Sequence, residues 1–128
     1  MPERSPLSEI FCRNTTIAAM ERALGVSNID PKHVDCWANR YRVGERIAPH
    51  RDSSGSVQFI VCLKAPIDLT SGGILHLKVA DALFPCPLTP GDALLWEATS
   101  IEHWTTPLVA TQHEPTPERI TLVGRYYL

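Results

Sequence analysis

The chain has 128 residues, a net charge of −2 at pH 7 and a hydrophobic content of 44%, and this length accommodates one domain with one core. Acidic and basic residues are interspersed without a basic stripe, which disfavours electrostatic capture of DNA or RNA. No apolar stretch approaches the roughly 20 residues that span a membrane, and the N-terminus lacks the pattern of a secretion signal. We therefore expect a cytoplasmic protein with a single domain over residues 1–128.

The N-terminal part, residues 1–34, is predicted to be a helical support for a sheet. Between residues 8 and 24, apolar side chains recur at nearly helical spacing, and Gly25 stands where such a helix would end. The polar run 14–16 weakens the middle of this segment. Two short helical turns are therefore the alternative to one continuous helix.

Residues 35–128 are predicted to form a β core. Short runs of β-branched and aromatic residues alternate there with clusters of Gly, Pro, Asp and Ser. The predicted strands are 36–43, 46–49, 57–63, 74–79, 93–96, 101–104 and 120–127, with a shorter strand at 83–86. Nearly all of the 11 prolines fall in the intervening breaks, which suits edges and loops. This pattern predicts a mainly β fold, a double-stranded β-helix (the jelly roll of cupins) preceded by a helix.

A His-x-Asp pair, His50 and Asp52, follows one of the predicted strands. Residues two apart on a strand point to the same face, so both side chains can address one metal ion. Together with a third, distant His they would form the two-His, one-carboxylate triad of non-haem Fe(II) sites. A closed structural zinc site is not expected, because such sites usually include Cys and the four cysteines show no Cys-x-x-Cys spacing.

Three histidines are candidates for the third ligand. We favour His103, because a Pro-Gly turn, an apolar strand and a tight turn precede it and would place it on a hairpinned strand. His76 lies in the middle of a predicted strand, where a surface or hydrogen-bonded role is more typical. His113 lies in a loop rich in Pro and Glu.

In chain order, these motifs resemble those of the Fe(II)/2-oxoglutarate-dependent dioxygenase superfamily, with features of its prolyl-hydroxylase-like and AlkB-like members. The resemblance runs from about residue 39 to residue 126, and its pieces are Asn39-x-Tyr41-x-x-Gly44, His50-x-Asp52, Gly72-Gly73-x-Leu75, Pro90-Gly91-Asp92, His103 and Arg119-x-Thr121. It implies a compact oxygenase that holds Fe(II) on His50, Asp52 and His103 and uses 2-oxoglutarate and O₂.

The resemblance also implies a set of 2-oxoglutarate contacts. Arg119 and Thr121 match the family's anchor for the remote carboxylate, and a planar guanidinium suits that task because it grips a carboxylate through two parallel hydrogen bonds. Asn39 and Tyr41 resemble the Asn-x-Tyr that contacts 2-oxoglutarate in AlkB-type members. Arg125 resembles the second Arg of that group.

The implied activity is oxidation of a C–H bond, by hydroxylation or by desaturation or ring closure, in a small molecule such as an amino acid or a biosynthetic metabolite. Trp104 opens a long loop after the third ligand and is a candidate wall of the substrate pocket. A domain this small leaves a shallow pocket unless loops or a second subunit close it. A homodimer is therefore among the expected arrangements.

Three other functions are weighed against this one. A cupin-type metalloenzyme that does not use 2-oxoglutarate would share the jelly roll and the Gly-to-His spacing. An AlkB-like nucleic-acid demethylase is disfavoured, because the chain has no basic face and carries Thr121 where that group has Asn. A non-enzymatic binding module would not require the metal ligands and the anchor Arg together.

Overall fold

The computed structural model describes residues 5–128; residues 1–4 of the predicted N-terminal region lie outside the description. Two helices replace the single predicted helix, α1 over Pro6–Phe11 and α2 over Asn14–Leu24. The Ser5 hydroxyl caps α1 by accepting from the amide of Ser8 at 3.2 Å. Gly25 ends α2 with φ at 66°, a conformation that favours glycine. Within residues 5–128, no helix has the length and hydropathy to cross a membrane.

The β core consists of antiparallel strands in two facing sheets. The strands are β1 Val34–Tyr41, β2 Val57–Lys64, β3 Leu75–Val79, β4 Ala82–Cys86, β5 Ala93–Glu97, β6 Glu102–Thr105 and β7 Arg119–Tyr126. A four-stranded sheet has the order β1-β7-β2-β5, and a three-stranded sheet has the order β4-β3-β6. Neighbours in a sheet are mostly distant in sequence, as a jelly roll requires. The predicted mainly β class is confirmed.

One predicted strand, 46–49, is wrong. This segment runs beside β6 but does not form a regular ladder. Thr105 donates its amide to the carbonyl of Ile47 at 3.0 Å, whereas the amide of Ile47 donates to the Thr105 hydroxyl at 2.8 Å. Pro49 has no amide to contribute. The backbone hydrogen bonds of the segment are therefore partly replaced by a side chain, and this exchange cannot be inferred from hydrophobic alternation.

The apolar core has two parts that lie on opposite faces of the four-stranded sheet. The outer part, against the helices, contains Phe11, Ile17, Met20, Ile29, Val57, Leu122 and Tyr126. The inner part, between the sheets, contains Ile60, Leu75, Leu77, Trp96 and Val123. Strands β2 and β7 are covered on both faces, so their apolar residues do not alternate cleanly with polar ones. The inner core fills only part of the space between the sheets, and a cavity lined by both apolar and polar side chains occupies the rest.

Candidate metal centre

The three predicted metal ligands meet at one edge of the three-stranded sheet. His50 and His103 exchange both of their backbone hydrogen bonds, at 3.1 and 2.9 Å, and their rings lie 4.3 Å apart. Asp52 is anchored by its amide, which donates to the carbonyl of Ala98 at 3.1 Å. Its Oδ1 lies 3.4 Å from Nε2 of His50 and 3.5 Å from Nε2 of His103. An isolated antiparallel β-bridge thus brings together His50 and His103, which are more than fifty residues apart in the chain.

Both imidazoles are oriented through their other ring nitrogen. Nδ1 of His50 lies 2.8 Å from the carbonyl of Ala48, and Nδ1 of His103 lies 3.0 Å from the carbonyl of Ile101. A carbonyl only accepts, so each Nδ1 carries the hydrogen and each Nε2 presents a lone pair toward Asp52. Burial lowers the pKa of His103, which favours the neutral ring that a metal requires.

The arrangement fits a divalent cation. Metal–ligand bonds of about 2.1 Å would place neighbouring ligands of an octahedron about 3.0 Å apart, close to the two separations from Oδ1 of Asp52. Its other oxygen, Oδ2, is buried and has no hydrogen-bond partner among the described residues. Two nitrogens and one carboxylate suit Fe(II) and leave three of its positions open.

The two alternative histidines lie elsewhere. His76 stacks on Trp104, with ring centroids 5.5 Å apart and planes at 9°. His113 is in an exposed loop. In the part of the chain that the structure describes, the grouping of metal-binding side chains found is His50, Asp52 and His103.

A cavity of about 240 Å³ extends from the ligands into the space between the sheets. Its polar lining comprises Asn39, Tyr41, His50, Asp52, Gln58, His103, Thr105, Arg119, Thr121 and Arg125. All five predicted co-substrate contacts line this cavity together with the three metal ligands. Four of the five are brought together by strand register, because Asn39 pairs with Thr121 and Tyr41 pairs with Arg119 across β1 and β7. Their side chains therefore share the inner face of the sheet.

Arg119 is a buried cation that the protein does not neutralise. It is 7% exposed, and no carboxylate of residues 5–128 lies within 4.0 Å of it. Its Nη1 donates to the carbonyl of Leu88 at 3.3 Å and approaches the sulfur of Cys62 at 3.8 Å, while its Nε has no partner. Burial lowers the pKa of this guanidinium. An unpaired buried charge is costly, so the geometry is suited to an anionic ligand in the cavity.

Thr121 and Tyr41 add hydroxyl groups beside Arg119. Thr121 is 3% exposed and its Oγ1 has no partner. Burial raises the pKa of Tyr41 to about 12, against smaller opposing effects of Arg119 and Asn39. The phenol therefore stays protonated at neutral pH and remains a hydrogen-bond donor. A carboxylate placed here would meet one guanidinium and two hydroxyl groups.

Unsatisfied polar atoms are concentrated in this cavity. Five buried side-chain nitrogen or oxygen atoms of the described residues lack a partner, and four of them belong to cavity-lining residues: Asp52, Trp96, Arg119 and Thr121. Trp96, whose ring lies 5.1 Å from that of His103, was not singled out from the sequence. Gln58 was also missed, although a lone polar residue inside the apolar run of β2 was a usable signal.

Two predicted residues have surroundings different from those expected. Arg125 lies at the metal end of the cavity, where its Nη2 is 3.2 Å from Oδ1 of Asp52. Trp104 does not line this cavity and stacks on His76 instead, so its predicted place as a wall of the substrate pocket stays a prediction. Adjacent residues on a strand point to opposite faces, and Trp104 therefore faces away from the side that His103 occupies.

No protein-family model matches the sequence, and no curated protein shows a significant match. Solved structures are similar in fold. A prolyl-4-hydroxylase from Pseudomonas putida is 18% identical with a TM-score of 0.71, over 89% of this chain and 60% of that one. An oxidoreductase of the 2OG-Fe(II) oxygenase family from Burkholderia pseudomallei is 15% identical with a TM-score of 0.74, over 93% and 55%. A cupin domain from Bordetella pertussis is 17% identical with a TM-score of 0.52, over 79% and 88%.

These likenesses establish the fold. The predicted jelly roll is confirmed by both groups of structures, the oxygenases and the cupin. This chain spans 60% and 55% of the length of the two oxygenases. At these identities a shared fold does not determine a shared chemistry.

Proposed function

We propose that this chain is an Fe(II)- and 2-oxoglutarate-dependent oxygenase that oxidises a C–H bond of a small molecule. One observation carries the proposal. A single cavity joins three convergent metal ligands to a buried guanidinium that has no carboxylate partner among the described residues. A metal site alone would not need the second feature.

The two ends of the cavity have different roles in the proposed function, metal binding at one end and carboxylate binding at the other. His50, Asp52 and His103 would hold Fe(II), and Arg119 with Thr121 would receive the remote carboxylate of 2-oxoglutarate. The metal and the co-substrate supply the oxidising power together with O₂. The chain binds and orients them, keeps Tyr41 as a neutral donor and limits access of water to the space between the sheets.

The size of the cavity supports a small substrate. Pockets for drug-sized ligands have volumes of about 300–1,000 Å³, whereas this cavity measures about 240 Å³ and would also contain the co-substrate. Only a small group fits beside it, such as the side chain of an amino acid or part of a metabolite. Whether a hydroxyl group is added or the substrate is desaturated or cyclised depends on which carbon is presented to the metal.

Access supports the same arrangement. The side chain of His50 is 40% exposed, whereas those of Asp52 and His103 are 4% and 5% exposed. The metal end is thus the open end of the cavity, and the Arg119 end is closed. A co-substrate must enter before the substrate, and a homodimer partner or a loop would then cover the His50 side.

Succinate formation tests the proposal. Purified protein with Fe(II) should convert 2-oxoglutarate to succinate in air, slowly without substrate and faster when a screened small molecule is accepted. Arg119→Met should suppress succinate release, and Arg51→Met, which removes an exposed arginine near the metal, should not. Metal binding without any effect of 2-oxoglutarate would instead favour a cupin-type enzyme, which the similarity to the cupin domain keeps as the second candidate.

A further inference from the structure

We propose that Arg125 is a positioning residue that holds the Asp52 carboxylate so that only one of its oxygens faces the metal. The inference rests on the proposed metal centre but concerns how the Asp52 carboxylate is oriented before the metal binds. It differs from the family-based expectation that Arg125 contacts 2-oxoglutarate. The basis is the set of contacts around the guanidinium.

Every nitrogen of the Arg125 guanidinium has a protein partner. Nε donates to the amide oxygen of Gln58 at 3.1 Å, Nη1 donates to the hydroxyl of Ser54 at 3.4 Å, and Nη2 lies 3.2 Å from Oδ1 of Asp52. Arg119, in contrast, keeps its Nε unpaired. Each nitrogen of Arg125 therefore commits one of the five guanidinium N–H groups to the protein, whereas Nε of Arg119 is available to a ligand.

The rest of the side chain is held as firmly. The guanidinium carbon lies 4.9 Å from the centre of the Trp37 ring, in a cation–π contact. The aliphatic part lies against Gly55, where an added Cβ would come within 2.5 Å of Cγ of Arg125. Gly55 has a φ of 86°, which favours glycine. The turn between Asp52 and β2 is thus shaped around this arginine.

The contact with Asp52 determines how the carboxylate is rotated. Oδ1 meets Arg125 and both imidazoles, and Oδ2 meets no hydrogen-bond partner. A carboxylate bound through both oxygens would occupy two positions of an octahedral ion. The proposed reaction needs three open positions, two for 2-oxoglutarate and one for O₂, so the carboxylate must bind through one oxygen. Arg125 favours that mode because it fixes Oδ1 between the histidines.

An electrostatic role and a positioning role of Arg125 predict opposite changes in metal affinity when this residue is replaced. Arg125 is a cation beside a metal site, so a purely electrostatic role would make metal binding tighter when the charge is removed. A positioning role makes binding weaker, since losing a partner that orients a ligand typically costs about 10–100-fold in metal affinity. The sign of the change therefore separates the two.

Titration with Co(II) provides the test, because quenching of tryptophan fluorescence reports binding and the visible spectrum reports coordination number. We expect Arg125→Met to weaken Co(II) binding by about 10–100-fold and to change the spectrum. Arg125→Lys should recover only part of the affinity. Its single ammonium group cannot reproduce the planar set of donors that a guanidinium presents. Arg51→Met removes the same charge from the neighbouring residue, whose side chain donates to the carbonyl of Ser100 and not to Asp52, and it should leave both signals unchanged.

Gln58→Leu keeps Arg125 but removes the amide oxygen that accepts from its Nε. We expect this variant to lose less Co(II) affinity than Arg125→Met and to change the spectrum in the same direction. If Arg125→Met does not fold, this variant decides the question. Unchanged affinity and spectrum in whichever of the two variants folds would overturn the inference. A wild-type protein that binds no Co(II) or Fe(II) would instead overturn the proposed function, so the two failures are distinguishable.

Discussion

The two faces of β7 show how one strand serves stability and chemistry. On the outer face, Tyr126 packs beneath the helices and its hydroxyl donates to the carbonyl of Phe11 at 2.8 Å. On the inner face, Arg119 and Thr121 are also buried but keep polar atoms without partners. Native interiors normally satisfy such groups. The face that leaves them unsatisfied is the face that lines the cavity, as the proposed co-substrate site requires.

The largest expected effect lies on the outer face. Phe11 is fully buried, its ring packs edge-on against Phe59 at 5.8 Å, and Gly124 leaves space for it. Phe11→Ala should lower the free energy of unfolding by about 3–5 kcal/mol, measured by urea denaturation. The molecules that remain folded should bind Co(II) as the wild type does. Weaker metal binding by fully folded Phe11→Ala protein would contradict the assignment of stability to the outer face and of metal binding to the inner face.

The next effect concerns the inner face, where one substitution should lower ligand affinity and raise stability. Arg119→Met should weaken 2-oxoglutarate binding by about 100-fold, since a desolvated charged contact is worth about 3 kcal/mol. The same change should raise the unfolding free energy of the ligand-free protein by about 1 kcal/mol or more, because an unpaired buried charge is replaced by an apolar side chain. Calorimetry and urea denaturation measure the two quantities. Lower stability together with unchanged 2-oxoglutarate binding would mean that Arg119 is structural.

A smaller effect appears at alkaline pH. The pKa of Tyr41 is raised to about 12, first because of burial, and it exceeds the ordinary value of about 10. A raised pKa in the folded state contributes stability that is present below pH 10 and lost as the pH rises toward 12. The 295 nm absorbance difference between wild type and Tyr41→Phe should therefore show no tyrosinate at pH 10. Ionisation of Tyr41 near pH 10 would contradict a closed Arg119 end.

Much of the fold was readable from the sequence because local signals agreed with it. Runs of β-branched residues, turn residues and prolines marked most strands, and Gly25 marked the end of the helical region. The segment 46–49 failed because the Thr105 hydroxyl takes the amide of Ile47. That exchange depends on a residue almost sixty positions away.

The site was predictable to the extent that its residues carry their chemistry in short motifs. His50, Asp52, His103 and Arg119 were selected on type and order, and the structure brings them to one cavity. The surroundings of Arg125 were not predictable, because they depend on the pairing of β7 with β2 and on a turn that brings Asp52 back. The orientation of Trp104 could be predicted from the sequence, because it directly follows the ligand His103 on β6 and adjacent strand residues point to opposite faces.

The central claim is that metal and co-substrate share one cavity. Its most direct test is an anaerobic titration of the Fe(II)-loaded protein with 2-oxoglutarate, followed by visible absorption. The account predicts a weak charge-transfer band that saturates as 2-oxoglutarate chelates the metal, and predicts that Arg119→Met does not develop this band at the same concentrations. Fe(II) bound at the triad with no spectral response to 2-oxoglutarate would contradict it.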